Sequence, residues 1–152
     1  MRHDALASMP CSIARSLAIL GERWTLVILR EAFMRARRFE DYQSGTGIAR
    51  NILTDRLNKL VEHEILERVP YAEHPGRTLY EYRLTDKGLD LYPVLISLMK
   101  WGDQYGGFED PPMTLEHKGC GHEQVPALVC GECGEPLDAR DVQPHVAPRA
   151  AA

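Results

Sequence analysis

At 152 residues, 44 % of them hydrophobic, the chain has the size of one domain with a real core and room for a small appendage. No stretch approaches the roughly 18 apolar residues of a membrane span, and MRHDALASMPCSIARS lacks the apolar run of a signal peptide, so a soluble, cytoplasmic protein with reduced thiols is expected. The net charge of -4 argues against a nucleic-acid partner only until the charges are placed: residues 110–152 carry three basic and seven acidic side chains, whereas residues 1–109 balance fifteen against fifteen.

Cys11 to Leu20 has apolar residues at 13, 14, 17, 18 and 20, a helical stripe that Gly21 can cap. ERWTLVILREAFM follows as a second helix, with a broad apolar face suited to burial, and Trp24 reads as a core anchor rather than a ring for stacking a ligand. RRFEDYQ gives a short third helix, after which SGTG is expected to break the chain. Ile48 to Glu64 repeats apolar residues at 53, 57, 60 and 61, leaving Asn51, Thr54, Asp55 and Asn58 on the other face. LERVPYA and LYEYRLT are strands joined through EHPGR with its Pro-Gly turn. Thr85 and Asp86 are N-cap residues for a helix reaching about Tyr105, with Pro93 tolerated in a first turn or at a kink. GGFEDPPM reads as a linker, ahead of a cysteine-rich segment and a Pro/Ala-rich tail.

A short helix, a tight turn, a polar-faced helix and a hairpin form the arrangement of a winged helix-turn-helix. The major groove admits one helix, whose outward side chains must be donors and acceptors for base edges and whose inward ones must fix it to a rigid core. Arg50, Asn51, Thr54 and Asn58 fit the outward role. Arg35, Arg37 and Arg38 would flank the groove, with His74 and Arg77 on the wing tip, holding phosphates or entering the minor groove. Residues 35–59 set six cations, with Arg56 and Lys59 completing the number, against Glu40, Asp41 and Asp55. This local excess of three is what phosphates meet. The plainer alternative is a solvated polar face on a generic helical domain.

The wording of the sequence goes further. CSIARSLAILGERWTLVILREAF, RRFEDYQ, GIARNILTDRLNKLVEHEILERV and GRTLYEYRLTDKGLDLYPVLISLMKWG resemble the HxlR family of bacterial transcription regulators, winged-helix relatives of the MarR type, from about Cys11 to Trp101. The resemblance rests on the cysteine heading the first helix, GERWT, RRF, the L-T-x-R-L core of Leu53 to Leu57, and YxLT at Tyr82 to Thr85. It implies a homodimer whose terminal helices pair and whose two recognition helices read a palindromic operator in double-stranded DNA. One departure stands out: Ala49 replaces the serine usual at the start of the recognition helix, and Thr46 is the available substitute cap. Some members sense oxidants or electrophiles through a cysteine at the position of Cys11, which is the reading of Cys11 as a redox sensor; a small apolar residue in the dimer core is the other.

HKGCGHE and CGECGEP align at an offset of thirteen, placing His117 on Cys130, Cys120 on Cys133 and Gly121 on Gly134. Two such knuckles make a zinc ribbon, so His117, Cys120, Cys130 and Cys133 are candidate ligands of a structural zinc ion, with His122 competing for the fourth place. A ribbon without metal and a redox CxxC are the alternatives. A catalytic zinc of the deaminase kind is disfavoured, because Glu123 directly follows His122 and no enclosing α/β core is present.

The expected fold is therefore mainly α (α+β): a winged helix-turn-helix with a long C-terminal dimerisation helix over 1–108, a ribbon-like extension over 109–142 and a disordered tail over 143–152. The expected function is sequence-specific DNA binding in transcription regulation, without catalysis, and with a small-molecule or redox effector allowed. The rival is a zinc-stabilised protein interaction module on the same scaffold that does not bind an operator.

Overall fold

The computed structural model describes residues 3–123 and 126–145, with all their side chains except those of His3, Asp4, His74 and Arg77. The backbone divides into two compact units, one ending at Leu98 and the other beginning at Met99. The first holds α1 (His3–Ala7), α2 (Ser12–Leu20), α3 (Thr25–Phe33), α4 (Phe39–Thr46), α5 (Arg50–Glu62), β1 (Leu66–His74), β2 (Arg77–Leu84), α6 (Asp86–Leu89) and the start of α7 (Tyr92–Tyr105). Among the described residues no helix is long and apolar enough to cross a membrane.

Four local features depart from the sequence pattern, each for a physical reason. The helix expected from Glu22 starts at Thr25, because Trp24 sits in the left-handed region at φ 81°. The residue is 37 % exposed, so Trp24 is not the core anchor expected there. Ser44, Gly45 and Thr46 do not break the chain but form the end of α4; the break comes at Gly47, at φ 67°, whose N–H donates to the Gln43 carbonyl at 2.8 Å. Gly45 is small because α3 lies close: a Cβ there would stand 2.1 Å from Oε2 of Glu31, a buried carboxylate held by Arg30.

The helix expected from Thr85 to Tyr105 is two helices. Thr85 caps α6 by accepting the Gly88 N–H at 3.1 Å, and donates its own hydroxyl to the Glu64 carbonyl at 2.6 Å. α6 stops at Leu89, and α7 restarts with Pro93 in its first turn, where a missing N–H costs no helical bond. Gly88 pins α6 against the start of β1, since a Cβ would lie 2.2 Å from the Ile65 carbonyl oxygen.

Ile28, Leu29, Tyr42, Leu53, Leu57, Leu60 and Leu66 form the fully buried centre, and Leu91 and Leu95 pack against its edge. The wing is an antiparallel pair in register from Leu66↔Leu84 to His74↔Arg77, with an irregularity between Pro70 and Ala72. It is tied to the helix-turn-helix through the Tyr82 N–H, which donates to the Arg37 carbonyl at 2.7 Å, and through the edge-on packing of Tyr82 on Tyr42 at 6.0 Å.

The second unit runs from the last turns of α7 into two small hairpins. β3 (Glu116–His117) pairs with β4 (His122–Glu123), and Val129 bridges Pro136. Lys100 Nζ donates to the Pro126 carbonyl at 2.9 Å. No described residue from Met99 onward is buried. Residues 143–145 have no regular structure, and the rest of the expected disordered tail, 146–152, lies outside the described residues.

Candidate nucleic-acid interface

α4, the turn at Gly47 to Ala49, and α5 are built from the leucines upward. Leu53, Leu57 and Leu60 are buried, which fixes the rotation of α5 and leaves Arg50, Asn51, Thr54, Asp55 and Asn58 exposed. The start of α5 has no side-chain cap: Ala49, at φ −61° and ψ 141°, offers only its carbonyl, to the Leu53 N–H at 3.0 Å. Thr46 does not replace the missing serine at this end of α5. Its hydroxyl donates to the Tyr42 carbonyl at 2.7 Å and accepts the Ile48 N–H at 3.5 Å. The chain thus forgoes a cap that contributes about 1 kcal/mol, and leaves the first N–H groups of α5 directed at whatever anion approaches.

The polar side chains of this face are partly organised already. Arg50 Nη1 donates to Gln43 Oε1 at 2.8 Å, and its guanidinium lies 4.6 Å from the centre of the Phe39 ring. The Thr54 hydroxyl donates to the Arg50 carbonyl at 2.8 Å. Asn58 Oδ1 accepts from Arg68 Nη2 at 2.5 Å, and the Arg68 guanidinium sits 5.7 Å from the Tyr82 ring centre. Arg38 covers the Tyr71 ring at 4.6 Å. The N–H groups of Arg38 and Arg37 donate to Asp41 Oδ2 at 2.8 and 3.1 Å, which holds the Asp41 carboxyl below the usual carboxylate range and fastens the start of α4. Behind them burial raises the pKa of the Tyr42 hydroxyl, which has no hydrogen-bond partner among the described residues.

Two cations counted in the sequence excess are spent inside the fold. Arg56 pairs with Glu22 and Asp55, and Lys59 Nζ reaches Glu22 Oε1 at 2.6 Å, fastening α5 to the turn before α3. Arg68, which the pattern did not single out, stands beside Asn58 instead; as the one cation of the strand LERVPYA it was the available signal. Gln43, Phe39 and Tyr71 were also missed, because their part is to hold arginines that only the packing brings near them. The guanidinium groups of Arg35 and Arg37 and the Asn51 amide make no hydrogen bond or ion pair among the described residues. The backbones of His74 and Arg77 close the wing hairpin, while their side chains lie outside the described residues.

The remaining sequence candidates lie elsewhere. Cys11 is an exposed free thiol at the extended N-cap of α2, and Arg15 Nε donates to the nearby Met9 carbonyl at 2.9 Å. In the tail, His117 Nδ1 stands 3.2 Å from Cys120 Sγ. The N–H groups of Cys133 and Glu132, and then the Cys133 side chain, hold the Cys130 thiol below its usual pKa. No three His, Cys, Asp or Glu side chains among the described residues converge as a metal group.

A polar helix seated on a buried leucine row, reached through a tight turn and followed by a two-stranded wing, defines a winged helix-turn-helix protein. The HxlR-like helix-turn-helix family model matches residues 19–110, and the chain belongs to that family. It is 47 % identical over 138 residues to an uncharacterised HTH-type transcriptional regulator of Mycobacterium tuberculosis, Rv3095, covering 90 % of this chain and 86 % of that one. The crystal structure of PA1607 superposes with a TM-score of 0.81 at 35 % identity, over 93 % of this chain and 98 % of that one. The reduced form of the transcriptional regulator YodB from Bacillus subtilis matches with a TM-score of 0.53 at 31 % identity, over 65 % of this chain and 97 % of that one.

Proposed function

We propose that this chain is a DNA-binding transcriptional regulator that acts as a homodimer on a palindromic operator, with α5 in the major groove. The observation that carries the reading is the exposed row of Arg50, Asn51, Thr54 and Asn58, standing on the buried Leu53, Leu57 and Leu60. Arg50 is pre-positioned by Phe39 and Gln43, so less side-chain entropy is lost when it meets a base edge. Arg35, Arg37, Arg38 and Arg68 supply phosphate contacts around it, and His74 and Arg77 do so from the wing. No catalytic step belongs to this reading. It is tested with duplexes from the DNA upstream of the chain's own coding sequence, where specific retention at moderate salt is expected and equal binding to a scrambled duplex rejects it.

Dimerisation has its own support in α7, where Val94, Leu98, Trp101 and Tyr105 repeat at four, three and four residues and are between 49 % and 63 % exposed. That spacing is the seam of a coiled coil. Light scattering is expected to give the dimer mass for the native chain and the monomer mass after Leu98→Glu; a native monomer contradicts the dimer. Cys11, exposed at a helix start, is proposed as the redox-sensitive group. Diamide is then expected to weaken operator binding in the native chain and leave Cys11→Ser unaffected, whereas equal loss in both excludes Cys11.

A further inference from the structure

We infer that His117, Cys120, Cys130 and Cys133 close on one zinc ion as a Cys3His tetrahedron that holds the second unit together. The geometry behind this is a duplicated turn. His117 and Cys130 are each followed three residues later by a cysteine and four residues later by a glycine. Both glycines are left-handed, Gly121 at φ 71° and Gly134 at φ 75°. Each donates its N–H back to the first residue of its turn, Gly121 to the His117 carbonyl at 2.8 Å and Gly134 to the Cys130 carbonyl at 2.9 Å. Both turns close a hairpin: Glu116 and His117 face Glu123 and His122, while the Cys130 N–H donates to the Glu135 carbonyl at 2.8 Å and Val129 bridges Pro136.

Each turn presents two ligands side by side. With Zn–S near 2.3 Å and Zn–N near 2.05 Å, the N···S edge of a tetrahedron is about 3.5 Å; His117 Nδ1 and Cys120 Sγ stand 3.2 Å apart. In the second turn the N–H groups of Cys133 and Glu132 point at the Cys130 sulfur, the outer-shell arrangement that stabilises a metal thiolate. The two pairs are separate half-sites, because no three such side chains converge among the described residues. Zinc binding therefore requires one turn to swing onto the other. The three thiols release their protons to solvent, and the neutral imidazole donates a ring nitrogen.

A second observation points the same way. No described residue between 109 and 145 is buried, and the cysteines there are free thiols. Segments below about 40 residues rarely hold a fold by apolar burial alone and rely on disulfides, metals or assembly. The duplication also chooses the fourth ligand: His117 occupies the place that Cys130 holds in the other turn, whereas the counterpart of His122 is Glu135.

The test is metal analysis of the full chain purified without added metal, together with cobalt substitution. About one zinc per chain is expected, as are the intense visible bands of tetrahedral, thiolate-bound cobalt. Cys120→Ser, Cys130→Ser and Cys133→Ser should each reduce zinc to near zero, while Cys11→Ser retains it. His117→Ala should weaken zinc binding at least tenfold, and His122→Ala should leave it unchanged. Native protein carrying less than about a tenth of an equivalent of zinc, with cobalt remaining octahedral, overturns the site. Zinc lost in His122→Ala but kept in His117→Ala overturns the ligand set.

Discussion

Replacing Arg50 and Asn51 together by alanine is expected to abolish sequence-specific binding while leaving weak, salt-sensitive binding to any duplex. Each good contact to a base edge contributes about 1–3 kcal/mol of discrimination, so losing two lowers operator affinity by roughly two orders of magnitude. Arg35, Arg37 and Arg38 remain in the double variant and continue to attract phosphates. The contrasting variant is Arg35→Ala, which should weaken all duplexes alike and flatten the salt dependence by about one unit of slope. Because Arg50 also braces α4 against α5 through Gln43 and Phe39, thermal unfolding must accompany the binding measurement. A folded double variant that still discriminates between operator and scrambled DNA places base reading elsewhere on the chain.

Leu57→Ala is the substitution expected to cost most in stability. Leu57 is fully buried at the middle of the row that sets the rotation of α5. Leucine-to-alanine changes at such sites cost about 2–5 kcal/mol, through lost burial and the cavity left behind. For a domain of this size that lowers the melting temperature by roughly 10 °C or more. Asn58→Ala, one residue along the same helix but exposed, should leave stability nearly unchanged, losing only its bond to Arg68. A loss for Leu57→Ala as small as that for Asn58→Ala contradicts the seating of α5 described above.

Most of the fold was legible because it follows hydrophobic period. The leucine spacing of α5, the alternation and Pro-Gly turn of the wing, and the Thr85 cap each pointed to the element that forms. What the period could not show was set by contacts distant in sequence. Gly45 lies inside α4 instead of ending it, at a place where a side chain would meet Glu31 of α3. The long terminal helix is interrupted after Leu89, in a stretch where Thr85 bonds to Glu64 and Gly88 lies against Ile65. Trp24 is exposed and its backbone is left-handed, neither of which apolar spacing encodes.

The candidate site was legible to a similar degree. The exposed row of α5 could be listed from the sequence, but the loss of Arg56 and Lys59 to Glu22 and the arrival of Arg68 beside Asn58 depend on pairs far apart in the chain. The positive excess between residues 35 and 59 therefore counted two cations, Arg56 and Lys59, that the fold pairs with Glu22. In the tail the repeat itself was visible in the sequence, and the matched glycine conformations give it a common geometry.

The most direct measurement is a fluorescence anisotropy titration of the full chain against the duplex upstream of its own coding sequence and a scrambled duplex of equal length, at several salt concentrations. If α5 reads bases, the upstream duplex binds at least a hundred- to a thousandfold more tightly at moderate salt, and added salt weakens both. Equal affinity for the two duplexes at every salt concentration contradicts it.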